Sequence, residues 1–234
     1  MMTKNTPPDE DHRPVILSID VGGSHVKVLT SNGGVERKVE SGPNMTATSM
    51  VSAVQALIVD LSFDVISIGY PGPVRNDFAF EEPVNLGGGW VGFDFAKSFG
   101  KPVKMVNDAL MQAIGSYDGG RMLFLGLGTG LGSAMVIENV AQPMELAHLS
   151  HKKGRSFEDY LGELGLEKRG KKKWRRHVFD IVSRMRAALQ PDYIVLGGGN
   201  VDKLDILPEA CRRGDNTRAF EGGFRLWRDA SLVI

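Results

Sequence analysis

One short pattern restricts the fold of this chain more than any other, because it occurs twice. An apolar strand runs into a glycine turn and an apolar strand returns. The first copy spans residues 15–19 (VILSI), the turn Asp20-Val-Gly-Gly-Ser24 and residues 26–30. The second spans residues 122–127, the turn Gly128-Thr-Gly-Leu-Gly132 and residues 133–137, roughly 100 positions later. Such a repeat predicts two related lobes facing each other. Further short apolar strands are expected at 65–68, 103–106 and 193–196. Between them lie helical patterns at 46–60 (Met50, Val54, Leu57, Ile58, Leu61), from Asn107-Asp108 to Ser116, and at 156–167, 173–189 and 216–228. Asn32-Gly33-Gly34 marks a hairpin turn. Strands alternating with helices predict an α/β fold.

Composition narrows the partners. The 234 residues suffice for two small lobes with a real core. Lys+Arg and Asp+Glu balance at 28 each, so net charge gives no reason to expect nucleic acid or a membrane as partner. Cys211 is the single cysteine, which excludes an intramolecular disulfide and a cysteine-cluster zinc site and fits a reducing compartment. Residues 1–14 are polar and contain prolines, so a disordered tail is expected there rather than a secretory signal. No run approaches the ~20 apolar residues that cross a bilayer. A soluble, cytoplasmic protein is expected.

Several segments can carry chemistry. Gly22 and Gly23 let backbone amides approach phosphate oxygens, Asp20 can hold Mg²⁺ directly or through water, and Lys27 can reach a phosphate. The spacing is neither a Walker A nor a Rossmann fingerprint, and the segment alone also reads as an ordinary hairpin. Gly128, Thr129 and Gly130 form a second such turn, so that two glycine hairpins can grip a phosphate chain. Gly197-Gly198-Gly199 follows a strand where adenine or ribose can lie. Asp108 is a candidate base for phosphoryl transfer to an alcohol, or, with Asn107, a plain helix cap. Glu145 and His148, three residues apart, suit adjacent sugar hydroxyls, and also read as a solvated surface pair or as zinc ligands without partners. Glu158-Asp159 can simply complement a helix dipole.

These segments resemble the ROK family of sugar kinases. Asp20-Val-Gly-Gly-Ser-His-Val-Lys27 is similar to its D-x-G-G-(S/T)-x-x-(K/R) opening, and Gly69-Tyr-Pro-Gly-Pro-Val74 to its G-x-P-G-x-V loop. Asn85 followed by Trp90 resembles the N-x₄-W of polyphosphate glucokinases. Asn107-Asp-Ala109 matches N-D-A, and residues 126–133 match the second phosphate loop. Glu145-Leu-Ala-His148 resembles E-x-G-H, Phe157-Glu-Asp-Tyr160 falls where a further sugar-binding Glu stands, and residues 194–199 resemble the nucleotide-side I-x-x-G-G-G. The order is kept from about residue 15 to 226.

The resemblance implies an actin-like (ribonuclease H-like) two-lobed fold, with lobes at 15–106 and 107–234 and the terminal helix packing back on the first. It implies transfer of phosphoryl from ATP or polyphosphate, with Mg²⁺, to the 6-hydroxyl of glucose. Asp108 would be the base. Asn85, Asn107, Asp108, Glu145, His148 and Glu158 would bind sugar. Asp20, Gly22, Gly23, Ser24, Lys27, Gly128, Thr129, Gly130, Gly198 and Gly199 would hold the donor. A homodimer is implied as well. Three departures stand out: Ala147 replaces a glycine, His25 fills a commonly small slot, and the C-x-C-G-x₂-G-C motif is absent, so no structural zinc is expected. The basic run from Lys168 to Arg176 reads either as a solvated helix start or as a track for polyphosphate. Another hexose (mannose, fructose or an N-acetylhexosamine) and a non-catalytic sugar-binding protein are the alternatives.

Overall fold

The computed structural model describes residues 13–234; of the tail expected over 1–14, residues 1–12 lie outside the described residues. In the first sheet β1 (Ile16–Val21) pairs antiparallel with β2 (His25–Thr30), and β2 with β3 (Arg37–Glu40). Helix α1 (Ala47–Leu57) leads to β4 (Val65–Tyr70), which lies parallel to β1. The small hairpin of β5 (Val74–Arg75) and β6 (Phe78–Ala79) and helix α2 (Phe95–Phe99) precede β7 (Val103–Asn107), parallel to β4. After α3 (Asp108–Ser116) the plan repeats with β8 (Arg121–Leu127), β9 (Leu131–Ile137) and β10 (Val140–Met144), all antiparallel neighbours. Helices α4 (Glu158–Leu161), α5 (Glu163–Arg169) and α6 (Lys171–Leu189) lead to β11 (Tyr193–Gly197), parallel to β8, then β12 (Cys211–Arg213) and α7 (Arg218–Arg228). The two sheets, β3-β2-β1-β4-β7 and β10-β9-β8-β11-β12, therefore share one topology.

Strand alternation distributes the core. Leu123, Leu125 and Leu127 of β8 face Trp174, Val178, Ile181 and Met185 of α6, whereas Met122 and Phe124 join α3. On β1, Leu17, Ile19 and Val21 join the cluster that includes Met50 and Val54 of α1. Thr46 and Ser49 close a capping box at the start of α1, their side chains and backbone amides bonding reciprocally. Among the described residues no helix is long and apolar enough to cross a membrane.

The structure corrects several boundaries. The helix expected over 156–167 is two short helices, broken where Gly162 adopts an extended conformation against the Thr129 carbonyl. The terminal helix starts at Arg218 rather than 216, because Asp215 accepts from the Thr217 amide and holds a turn there. Strands β3, β10 and β12 had no apolar signature: they read RKVE, VAQPM and CRR, as half-exposed sheet edges do.

Helices α3 and α7 form the middle layer. Helix α7 packs on β1 and β4 of the first sheet, and α3 on β8 and β9 of the second. They cross through glycines: a Cβ at Gly115 would stand 1.8 Å from the Arg218 carbonyl oxygen, and one at Gly222 1.8 Å from that of Met111. On the sheet side, Ser67 Oγ donates to the Gly223 carbonyl at 2.6 Å and accepts from Trp227 Nε1 at 3.0 Å. Gly222→Ala should therefore lose about 2–3 kcal/mol through overpacking, a fall of roughly 5–10 °C in a thermal melt. Gly88→Ala, where the nearest atom is 3.9 Å away, should melt as wild type.

Candidate active site

Asp108 opens α3 at the point where β7 ends. Asn107 builds this corner: its Oδ1 accepts from the Leu110 amide at 3.1 Å, capping α3, and its Nδ2 donates to the Gly72 carbonyl at 3.2 Å. The first turn of α3 is pinched between the sheets by two more glycines. A Cβ at Gly69 on β4 would lie 2.5 Å from Met111 Cε and 3.5 Å from Asp108 Cα, and one at Gly132 on β9 would lie 2.8 Å from Ala109 Cβ.

The corner gathers carboxylates. Asp20 sits on β1 in register with Gly69 of β4 on one side and Lys27 of β2 on the other. Burial pushes the Asp108 carboxyl up to about 7; the charges of Asp20 and Glu145 add to this, while the Ala109 amide, donating at 2.7 Å, opposes it. Burial likewise raises Asp20 to about 6, against the pull of Lys27 and with a push from Glu36. Lys27 itself lies 3.8 Å from Glu36. Glu145 is raised by burial, then by Glu158 and Glu81, with His148 opposing; the His148 Nε2 is 3.7 Å from its carboxylate, and both side chains are largely exposed. Oxygen ligands crowded this way, with raised affinities for protons, fit a hard divalent cation.

Two glycine loops border these carboxylates, and a third lies behind the second. In the β1–β2 turn the Gly22 amide bonds the His25 carbonyl at 2.9 Å, Ser24 is exposed, and Gly23 faces Asn85, whose Cβ is 3.4 Å from where its own would be. In the β8–β9 turn the Gly128 amide bonds the Gly130 carbonyl at 3.2 Å, and the Thr129 carbonyl receives the Glu163 amide. Glu158 lies over Gly130 and accepts from the Leu131 amide at 3.1 Å. The third loop backs the second: Gly198 has φ +82 with no room for a Cβ against Leu127, while Gly199 is open.

Sequence reading missed three contributors. Asn200 donates Nδ2 to the Gly128 carbonyl at 3.0 Å and its amide to Leu127, tying the second and third loops together; its place directly after Gly199 was the available signal. Glu81 and Glu82 belong to no motif. Glu82 accepts from the Trp90 and Val91 amides, and Trp90 stacks on Tyr70 at 5.5 Å, which shapes the loop carrying Asn85. Of the departures, Ala147 is buried in the core with Phe157 and Tyr160, so its methyl group is absorbed by packing. His25 is partly buried in register with Glu40.

A carboxyl whose folded pKa exceeds its unfolded value gives up stability as pH rises between the two. For Asp108 that window runs from about 4 to about 7. Asp108→Asn should therefore melt above wild type at pH 8, and the difference should shrink towards pH 4.

Two sheets of one topology, joined by crossed helices and each carrying a glycine turn on its antiparallel hairpin, define an actin-like fold. Residues 16–143 match the model of the ROK family, and the chain belongs to that family. No curated protein sequence matches the chain. Among solved structures, the inorganic polyphosphate/ATP-glucomannokinase of Arthrobacter sp. strain KM is similar with a TM-score of 0.80 at 21% identity, over 92% of this chain and 99% of that one. A ROK family glucokinase of Streptomyces griseus, solved with glucose and AMPPNP, gives 0.74 at 16%, over 92% and 100%. A ROK family transcriptional regulator, a homolog of the E. coli MLC protein, gives 0.69 at 13%, over 93% and 78%.

Proposed function

We propose that this protein is a cytoplasmic kinase that transfers a phosphoryl group from polyphosphate or ATP to the 6-hydroxyl of glucose. The observation that carries this reading is the placement of Asp108 at the start of α3 where β7 ends, packed against Gly69 of the first sheet, where burial pushes its carboxyl up to about 7 and the charges of Asp20 and Glu145 add to this. A base poised near neutrality can take the hydroxyl proton as the phosphoryl group arrives. Asn85, Glu145, His148 and Glu158 orient the sugar. Asn107 contributes by holding the Gly72 loop against α3. The glycine turns at Gly22–Gly23 and Gly128–Gly130, with Ser24, Thr129 and Lys27, receive donor phosphates, the Gly22 and Gly128 amides holding the turns in shape by bonding the His25 and Gly130 carbonyls, and Gly198 and Gly199 receive the remainder of a nucleotide. Asp20 would hold Mg²⁺, directly or through water, whose charge neutralises phosphate oxygens when bound. A homodimer is part of the same reading, by family resemblance.

Polyphosphate as donor is supported by the start of α6. Lys171, Lys172 and Lys173 occupy its first turn, where the helix dipole is already positive and no side chain caps the free amides. Arg175 and Lys171 are partly neutralised by Asp205, whereas Lys168, Lys172, Lys173 and Arg176 are exposed. A polyanion relieves that crowding of like charge.

Purified protein supplied with Mg²⁺, glucose and either donor should form glucose 6-phosphate. Asp108→Asn should lose about 10³-fold or more in kcat while glucose affinity stays within a few-fold. Turnover comparable to wild type would remove Asp108 from the role of base. Lys172→Glu with Lys173→Glu should raise KM for polyphosphate tenfold or more and leave the ATP kinetics alone; an unchanged KM would reassign the basic run to solvation. Activity with another hexose alone would redirect the substrate, and silence with every sugar would favour a binding protein.

A further inference from the structure

Away from the Asp20–Asp108 corner, the described residues include one buried imidazole with no hydrogen bond to either nitrogen. His151 lies in the tight loop between the Ser150–Ser156 bridge, where its amide bonds the Arg155 carbonyl at 2.7 Å. Its side chain is fully buried, and neither ring nitrogen has a hydrogen-bond partner. A neutral imidazole carries one donor and one acceptor, and leaving both unmet inside a protein costs about 1–3 kcal/mol each. Around the ring stand Tyr160 and His177, both approached edge-on with centroids 4.7 and 5.6 Å away, and Asp180, whose Oδ2 is 3.7 Å from Nε2. His177 and Asp180 are three residues apart on α6 and so share a face. One ligand atom from each of the three residues lies within 4.8 Å of the others.

We infer that His151, His177 and Asp180 bind one divalent cation of the Zn²⁺ type, with water in the fourth position. Two imidazoles and a carboxylate are a donor set suited to such an ion, and bonds of about 2.0–2.1 Å in a tetrahedron put ligand atoms roughly 3.4 Å apart. The His151–Asp180 separation is already near this, and His177, only partly buried, can rotate to close the wider gap. The protonation states suit it too. Burial, then the charge of Lys152, holds both histidines below the ordinary range and hence neutral. Hydrogen bonds from Lys152 and Arg184 hold Asp180 down at about 2. No ligand then has a proton to give up at neutral pH.

Lys152 is the competitor. Its Nζ lies 2.5 Å from Asp180 Oδ2, and an ion entering the site must displace it; the side chain is half exposed and can swing out. Arg184, at 3.0 Å from Oδ1, can remain and orient the carboxylate. Occupancy would clamp the loop of residues 150–156 onto α6. That loop lies between Glu145 and His148 on one side and Glu158 on the other, so the clamp would stiffen the sugar side of the cleft. A site of imidazole and carboxylate is one that counting cysteines does not register.

The test is a Co²⁺ titration of the full chain after chelator treatment. One equivalent should produce the visible absorption of a four-coordinate nitrogen and oxygen site, and Zn²⁺ should abolish it and raise the melting temperature by several degrees. His177→Gln and Asp180→Asn, at partly exposed positions, should each weaken Co²⁺ binding tenfold or more. Lys152→Gln should tighten it several-fold. Absent bands in the wild type, or bands undiminished in both ligand variants, would overturn the site.

Discussion

Where α3 and α7 cross, backbone meets backbone. Gly115 of one helix and Gly222 of the other leave no room for even a methyl group, and Gly223 turns its bare face to Ser18 and Ser67 on the first sheet. Ordinary helix pairs stand 8–10 Å apart because side chains fill the gap. Here their absence draws the two sheets together through a thin middle layer. Asp20 belongs to the first sheet, and Asp108 begins a helix packed on the second. How closely those carboxylates approach thus depends on this crossing as well as on Gly69 and Gly132, which admit the first turn of α3 between the sheets.

That approach has an electrostatic consequence. Burial raises Asp108 and Asp20, and each of the neighbouring acids makes ionisation of the next harder. Without ligand the arrangement destabilises the folded chain at neutral pH. A cation and the donor groups of a sugar would relieve it, so the strain falls where binding can offset it. The second lobe offers a contrast: Asp180 is satisfied by Lys152 and Arg184, while neither ring nitrogen of His151 beside it has a hydrogen bond. Both places bury polar groups at a cost, one through excess negative charge and one through unbonded ring nitrogens.

What the sequence revealed follows from burial. Central strands such as β1, β4 and β8 are apolar runs ended by glycine turns, and they were legible with small errors at their ends. The edge strands, half exposed and charged or proline-containing, carry no such run. Asn107 was legible as a cap because capping is local. The break at Gly162 was not, since its cause is the Thr129 carbonyl in a loop over thirty residues away. His151 and His177 likewise meet only through the packing of a loop on α6, and no spacing along the chain announces them.

The motif glycines deserve a different weight from the motif acids. Gly69, Gly132 and Gly198 all fall in segments that resemble ligand loops, yet each abuts protein: Met111, Ala109 and the Leu127 backbone respectively. Gly128 and Gly199, by contrast, have open space where a Cβ would stand. A glycine of the first kind builds the cleft, and its loss would disturb folding and binding together. One of the second kind can serve close approach by a ligand without a packing role. The same sequence pattern therefore mixes residues that assemble the site with residues free to touch what enters it, and only the geometry separates them.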